Sequence, residues 1–210
     1  MVVCADLPQV IYIQRFWLIA RFAGLAYIQH PTRSPSGVLM TRRLIPVAAA
    51  VLITACATQP SDPTASAMLI ATKGNTVTGD VKFIQKGDTV LVTGEVRGLK
   101  PNGEHGFHIH EKGDCTSGDG MSTGGHFNPD GKTHGAHDHS THHVGDLPSL
   151  KADASGTARF NFESSTIALG SGKSDVLGRG MIVHRDPDDY KTQPTGNSGP
   201  RLACGVIGKN

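Results

Sequence analysis

The chain has 210 residues and a mass of 22.1 kDa, enough for one ordinary domain or one domain with a tail. With 38% apolar and 18% charged residues it is not disordered overall, and a formal charge of +2 excludes a strongly basic nucleic-acid binder. Its 26 glycines, 12 prolines and 5% aromatics point away from a helical bundle and toward short strands joined by turns.

The first 56 residues hold five arginines against Asp6, whereas residues 57–210 hold 15 Lys and Arg against 17 Asp and Glu. Such a split suggests a targeting segment ahead of a mildly acidic domain. Met40-Thr41-Arg42-Arg43, then the apolar residues 44–53, read as a signal peptide over residues 40–55. The run ends in Leu52-Ile53-Thr54-Ala55-Cys56, which resembles a bacterial lipoprotein signal and implies lipidation of Cys56. An ordinary secretory cleavage near Ala65 or Ala67, discarding Cys56, is the alternative. Residues 1–39 fit neither scheme. Arg15 and Arg21 interrupt the apolar residues 10–28, so an over-extended reading frame starting ahead of Met40 explains them better than a membrane helix. Residues 56–67 are polar, Pro-containing and free of large apolar side chains; they read as a flexible tether, with the folded domain over 68–210. These signals predict export to the periplasm or cell envelope, with the membrane contacted only through the N-terminal lipid.

Within that domain, residues 76–84 and 89–96 alternate in character around Gln85-Lys86-Gly87-Asp88 and predict a hairpin. Residues 106–110, 157–162, 180–184 and 203–207 predict further strands, and no helical period or repeat is present. The class is all-β, an antiparallel sandwich or barrel of seven or eight strands. Two long loops, 111–150 and 185–202, exceed what turns need and are expected to carry function. Cys4 and Cys56 fall outside the mature domain, so Cys115 and Cys204 are expected to pair in an exported protein, two free buried thiols being the alternative.

Ten of the 11 histidines lie between His105 and His184. In Gly106-Phe107-His108-Ile109-His110 a period of two puts both histidines on one strand face. An H-x-H alone is a weak signal, equally suited to two exposed polar positions. His126, His134, His143 and Asp146 form a three-imidazole, one-carboxylate set that suits Zn²⁺, and His184 completes an all-nitrogen set with His108 and His110 that suits copper. Six histidines for two metals imply one shared imidazole.

Gly106-Phe107-His108-Ile109-His110-Glu111, Gly125-His126-Phe127-Asn128-Pro129, His143-Val144-Gly145-Asp146-Leu147 and the run from Gly199 to Gly208 closely resemble copper/zinc superoxide dismutase, over essentially residues 68–210. The resemblance implies an eight-stranded antiparallel Greek-key barrel and superoxide as the small-molecule substrate. It implies copper on His108, His110, His126 and His184, and zinc on His126, His134, His143 and Asp146. His126 would be the bridge and proton carrier, Arg201 the anion-docking residue and Asp188 the carboxylate linking a copper-side to a zinc-side histidine. It also implies the Cys115–Cys204 disulfide. The near-neutral charge argues for no nucleic-acid partner, and a homodimer is one option that the sequence leaves open. The loop before Thr195-Gly196-Asn197 is shorter than in the best-known members, leaving Lys191 as the substitute steering charge. A non-enzymatic metal-binding module on the same scaffold is the main rival. His105 is expected to be structural. His137, His139 and His142 lie outside the pattern and are expected to be solvent-exposed loop residues, with accessory metal capture or delivery as the alternative.

Overall fold

The computed structural model describes residues 62–210. Ten strands account for its regular structure: β1 (Thr64–Ala71), β2 (Thr78–Lys86), β3 (Thr89–Arg97), β4 (Glu104–His105), β5 (Phe107–His110), β6 (Leu150–Lys151), β7 (Ala158–Ser164), β8 (Gly180–His184), β9 (Arg201–Val206) and β10 (Gly208–Lys209). The only helical element among the described residues is a single 3-10 turn, Met121–Thr123.

Eight strands form one curled antiparallel sheet in the order β5-β8-β9-β1-β2-β3-β7, with β10 also paired to β1. The consecutive hairpin strands β1–β3, with β9 returned beside β1, have the spatial order of a Greek key. β4 runs directly into β5 and pairs with β6, strapping the β5 side of the curl to the stretch that leads into β7. The predicted all-β class and strand number therefore describe the molecule.

Alternation builds the core. Ala65, Ala67 and Leu69 of β1, Val81 and Phe83 of β2, and Val90, Val92 and Val96 of β3 turn inward and are buried. Both β2 and β3 run to the tip of their hairpin, where Lys86 pairs with Thr89 and the loop shrinks to Gly87-Asp88. Gly87 adopts φ 57°, which is cheap only without a Cβ. Fully burying side chains such as Phe83 or Leu69 contributes about 1.5–3 kcal/mol each.

Two expectations need correction here. β1 begins at Thr64, so the last four residues of the predicted tether belong to the sheet. Their small side chains disguised a strand, because Ala65 and Ala67 fill a narrow part of the core. The strand expected over 203–207 starts at Arg201 instead, which fixes that side chain to the sheet. The predicted signal peptide, Cys56 and the preceding extension lie outside the described residues. No helix of the described residues is long and apolar enough to cross a membrane.

β5 and β8 differ from the rest because both their faces are buried. Phe107 and Ile109 face the core, and the loop 111–150 folds over the opposite face, which carries His108 and His110. That loop pairs along β5: Ile109 N–H donates to Gly145 O at 2.9 Å, Phe127 N–H to Ile109 O at 2.8 Å, and Glu111 N–H to Gly125 O at 2.9 Å. Gly145 is required there, since a Cβ would collide with the Ile109 carbonyl. Cys115 and Cys204 form a disulfide across 89 residues, joining the loop to β9.

Candidate metal centre

Chain direction and loop docking bring seven predicted ligands into two buried groups. His108, His110, His126 and His184 form one; His126, His134, His143 and Asp146 form the other, with ligand atoms in each group within 4.8 Å of one another. His126 belongs to both. His108 and His110 come from β5 and His184 from the end of β8, where a register shift after Val183 sets His184 opposite Arg201. The remaining four come from the loop 111–150, which reaches β5 through bridges between His110 and His126 and between His108 and Asp146.

Hydrogen bonds fix which nitrogen of each ring faces the gap. His110 Nδ1–H donates to Gly124 O at 2.9 Å and His184 Nδ1–H to Gly199 O at 3.0 Å, so their Nε2 atoms turn to each other, 3.4 Å apart. His108 Nε2–H donates to Asp188 Oδ2 at 2.7 Å, and His134 Nε2–H to Asp188 Oδ1 at 2.8 Å. One carboxylate thus orients one ring from each group, as the resemblance implied for Asp188. Asp146 Oδ1 accepts from His126 Nδ1–H at 2.7 Å and lies 3.3 Å from His143 Nδ1, while Asp146 Oδ2 lies 3.0 Å from His134 Nδ1.

Four ring nitrogens in these two groups are left without a hydrogen bond. His108 Nδ1, His126 Nε2, His134 Nδ1 and His143 Nδ1 are buried without a hydrogen-bond partner. An unsatisfied buried polar atom costs about 1–3 kcal/mol. Four of them converging on two adjacent gaps fit two cations, and imidazole nitrogen with one carboxylate is the donor chemistry of copper and zinc.

Electrostatics favour the ligand forms. Burial, then the neighbouring His126, His184 and Arg201, holds His110 well below the ordinary histidine range. Burial and His108 do the same for His184, and lower His126 to about 4. These rings are neutral and their lone pairs available. His134 is opposite: burial lowers it, but the two carboxylates beside it, Asp146 at 3.0 Å from Nδ1 and Asp188 at 2.8 Å from Nε2, outweigh this and raise it to about 9. For both carboxylates burial acts upward, yet the histidine hydrogen bonds win and hold Asp146 and Asp188 well below their usual range.

Arg201 is half-buried beside the copper-type group. Its Nη1 donates to Gly120 O and to Thr123 Oγ1 (2.8 Å), and its Nη2 to Gly124 O (2.7 Å). Burial pulls its pKa below the usual arginine value, which still leaves a full positive charge at neutral pH. Gly124 O therefore receives both Arg201 and His110, tying the guanidinium to a ring of the site. Thr123 and the Gly120 and Gly124 carbonyls were not among the predicted site residues, because backbone acceptors leave no side-chain signature. Gly196 was also missed: with φ 66° it lies against Asp188 and His134 so closely that a Cβ would collide with both.

The additional histidines divide. His139 is exposed, as expected, but His142 is buried at 5% exposure and His137 is half-buried. His142 Nδ1–H donates to His143 O at 2.6 Å and His137 Nδ1–H to Asp146 O at 3.0 Å. The expectation of solvent-exposed rings is thus corrected for these two, since the tight turn before His143 folds them back onto the loop's own backbone. His105 is structural, its Nδ1–H donating to His184 O at 2.9 Å. Lys191 is exposed.

Fold and site define a binuclear metalloprotein: a curled Greek-key sheet holding two cation sites on one common imidazole. The family model of copper/zinc superoxide dismutase matches residues 77–207. A superoxide dismutase [Cu-Zn] of Paramecium bursaria Chlorella virus 1 is 43% identical over 145 residues, covering 66% of this chain and 76% of that protein. The crystal structure of the clock protein EA4 superposes with a TM-score of 0.65 at 40% identity, covering 72% of this chain and 97% of that one. The chain belongs to the copper/zinc superoxide dismutase family, and it is an enzyme of that family using copper and zinc.

Proposed function

We propose that this chain removes superoxide at the cell envelope, held to a membrane by a lipid on Cys56. The reaction is 2 O₂⁻ + 2 H⁺ → O₂ + H₂O₂. The observation that carries the catalytic reading is His126, whose ring contributes to both ligand groups while its Nε2 is buried without any partner. When bound, copper supplies one-electron exchange with superoxide, and zinc supplies a fixed charge on the shared imidazole without itself changing redox state.

The chain's own groups do the rest. Arg201, pinned by three acceptors on residues 120–124, offers a positive charge that cannot swing away, so the anion is drawn to one place. His126 holds a proton at Nε2 between the two half-reactions and gives it up to the reduced oxygen, a role suited to a ring that burial keeps neutral otherwise. Asp188 keeps His108 and His134 oriented, and in the metal-free fold Asp146 holds the His126 ring in place through Nδ1. Loss of superoxide removal in metal-loaded His126→Ala, with the fold retained, is the result expected; unchanged turnover would contradict the reading and favour the metal-binding module.

The envelope location rests on the cationic start at Arg42-Arg43, the apolar residues 44–53 and Cys56. Detergent phase partitioning of cell-extracted protein, with mass spectrometry of its first peptide, tests it: a diacylglyceryl Cys56 is expected, and any mature peptide from upstream of Met40 contradicts it. A homodimer is supported by the exposed Met68 and Ile70 of β1 and Val206 of β9, which line one shallow hollow beside the disulfide. Sedimentation of wild type against Ile70→Asp distinguishes dimer from monomer.

A further inference from the structure

Of the three site-loop histidines that the binuclear centre does not use, His139 is exposed while His137 and His142 are folded back onto the loop. Their ring centroids are 5.6 Å apart. That spacing equals those within the zinc-type group, where His134 and His143 are 5.5 Å apart and His126 and His143 5.6 Å. Both rings are held by the same kind of anchor: Nδ1–H of each donates to a backbone carbonyl, His137 to Asp146 O and His142 to His143 O. An imidazole pinned by Nδ1–H has its lone pair on Nε2, which is the prepared state of a metal ligand. Among the described residues neither Nε2 has a hydrogen-bond partner. The turn between the two rings adds Asp138 and His139, both exposed and both carrying donors for a hard or borderline ion.

From this pairing we propose that His137 and His142 form a third metal site, separate from the binuclear centre, which takes a divalent transition ion such as Zn²⁺ or Cu²⁺ through their two Nε2 atoms. Solvent and the exposed Asp138–His139 turn complete the coordination from the His137 side, so the ion exchanges there, unlike an ion held among the buried ligands of the binuclear centre. Its anchors are the carbonyls of His143 and Asp146, so an ion bound here stiffens the same turn that presents two ligands to the zinc-type group. The chemistry suits an ion-capture position at the mouth of the zinc loop.

The test uses the full chain already loaded with its two resident metals. Calorimetric titration with Zn²⁺ is expected to show a third equivalent per chain. His137→Gln and His142→Gln should each weaken that equivalent by about tenfold or more, a loss that even outer-shell partners of metal sites produce. Metal analysis of the same variants should still find both resident ions. His142 is buried, so its variant can fail to fold; the wild type then provides an independent readout. In the reduced, diamagnetic holoenzyme, Zn²⁺ should shift the Nε2 resonances of His137 and His142 together. Absence of a third equivalent, its persistence undiminished in His137→Gln, or unmoved Nε2 resonances would each overturn the site.

Discussion

At the scale of single residues, Asp188 and Asp146 decide how the histidines behave. His134 sits between them and is raised to about 9, whereas its ordinary value is 6.5. A raised histidine stabilises the metal-free fold fully below 6.5 and loses that contribution as pH climbs through about 9. The depressed carboxylates act oppositely, contributing above their ordinary value of 3.8 and losing it as pH falls below that. A cation entering the zinc-type group must displace the His134 proton. Zinc uptake at pH 7 should therefore release about one proton, and zinc affinity should rise by about tenfold per pH unit between 6.5 and 9. Calorimetry in buffers of different ionisation enthalpy measures both; proton-neutral uptake at pH 7 would show that His134 is already unprotonated. Asp188→Asn keeps the size but loses one of two acceptors, so zinc affinity should fall by about 10–100-fold in chelator competition. Arg201→Ala should slow superoxide removal by about tenfold or more at low ionic strength, and by less as salt screens the field. Equal rates at low salt would remove Arg201 from the docking role.

The elements explain why those residues meet. β5 presents His108 and His110 on one face, and that much follows from a period of two in the sequence. The hairpin of β2 and β3 and strand β8 were equally legible, because alternation is a property of the sequence itself; the choice of ligands among six loop histidines came from the family resemblance. Strand β1 was not: Thr64-Ala65-Ser66-Ala67 has linker composition, and only the narrow core beside β2 makes alanine the inward residue. Nor were the clamps on Arg201 legible, since the carbonyls of Gly120 and Gly124 become acceptors only after the loop 111–150 docks. The burial of His142 arose the same way, from a turn closing on its own backbone. Docking depends on close approach and on the disulfide. Gly145→Ala should push the zinc-bearing turn off β5, with zinc lost before the sheet unfolds; zinc analysis beside a thermal melt checks this. Removing the disulfide by Cys115→Ser frees an 89-residue loop and should cost roughly 4 kcal/mol by chain entropy, read as a lower denaturant midpoint. An unchanged midpoint would mean that the loop is held by its β5 pairing alone.

For the whole molecule, the sheet acts as a rigid frame and the loops 111–149 and 185–200 bring the chemistry to it. The frame supplies three ligands and Arg201; the first loop supplies four ligands and three of the arginine's acceptors; the second supplies Asp188 and Gly196. The first loop alone carries all four zinc-type ligands, whereas the copper-type group joins β5 and β8 to that loop through His126, so copper binding and the docking of the first loop are one cooperative event. The most direct trial of this account is anomalous diffraction at the copper and zinc edges from crystals of the loaded enzyme. The account predicts one ion on each nitrogen of His126, copper among His108, His110 and His184, and zinc among His134, His143 and Asp146. Two ions that share no ring, or a single ion spanning both groups, would contradict it.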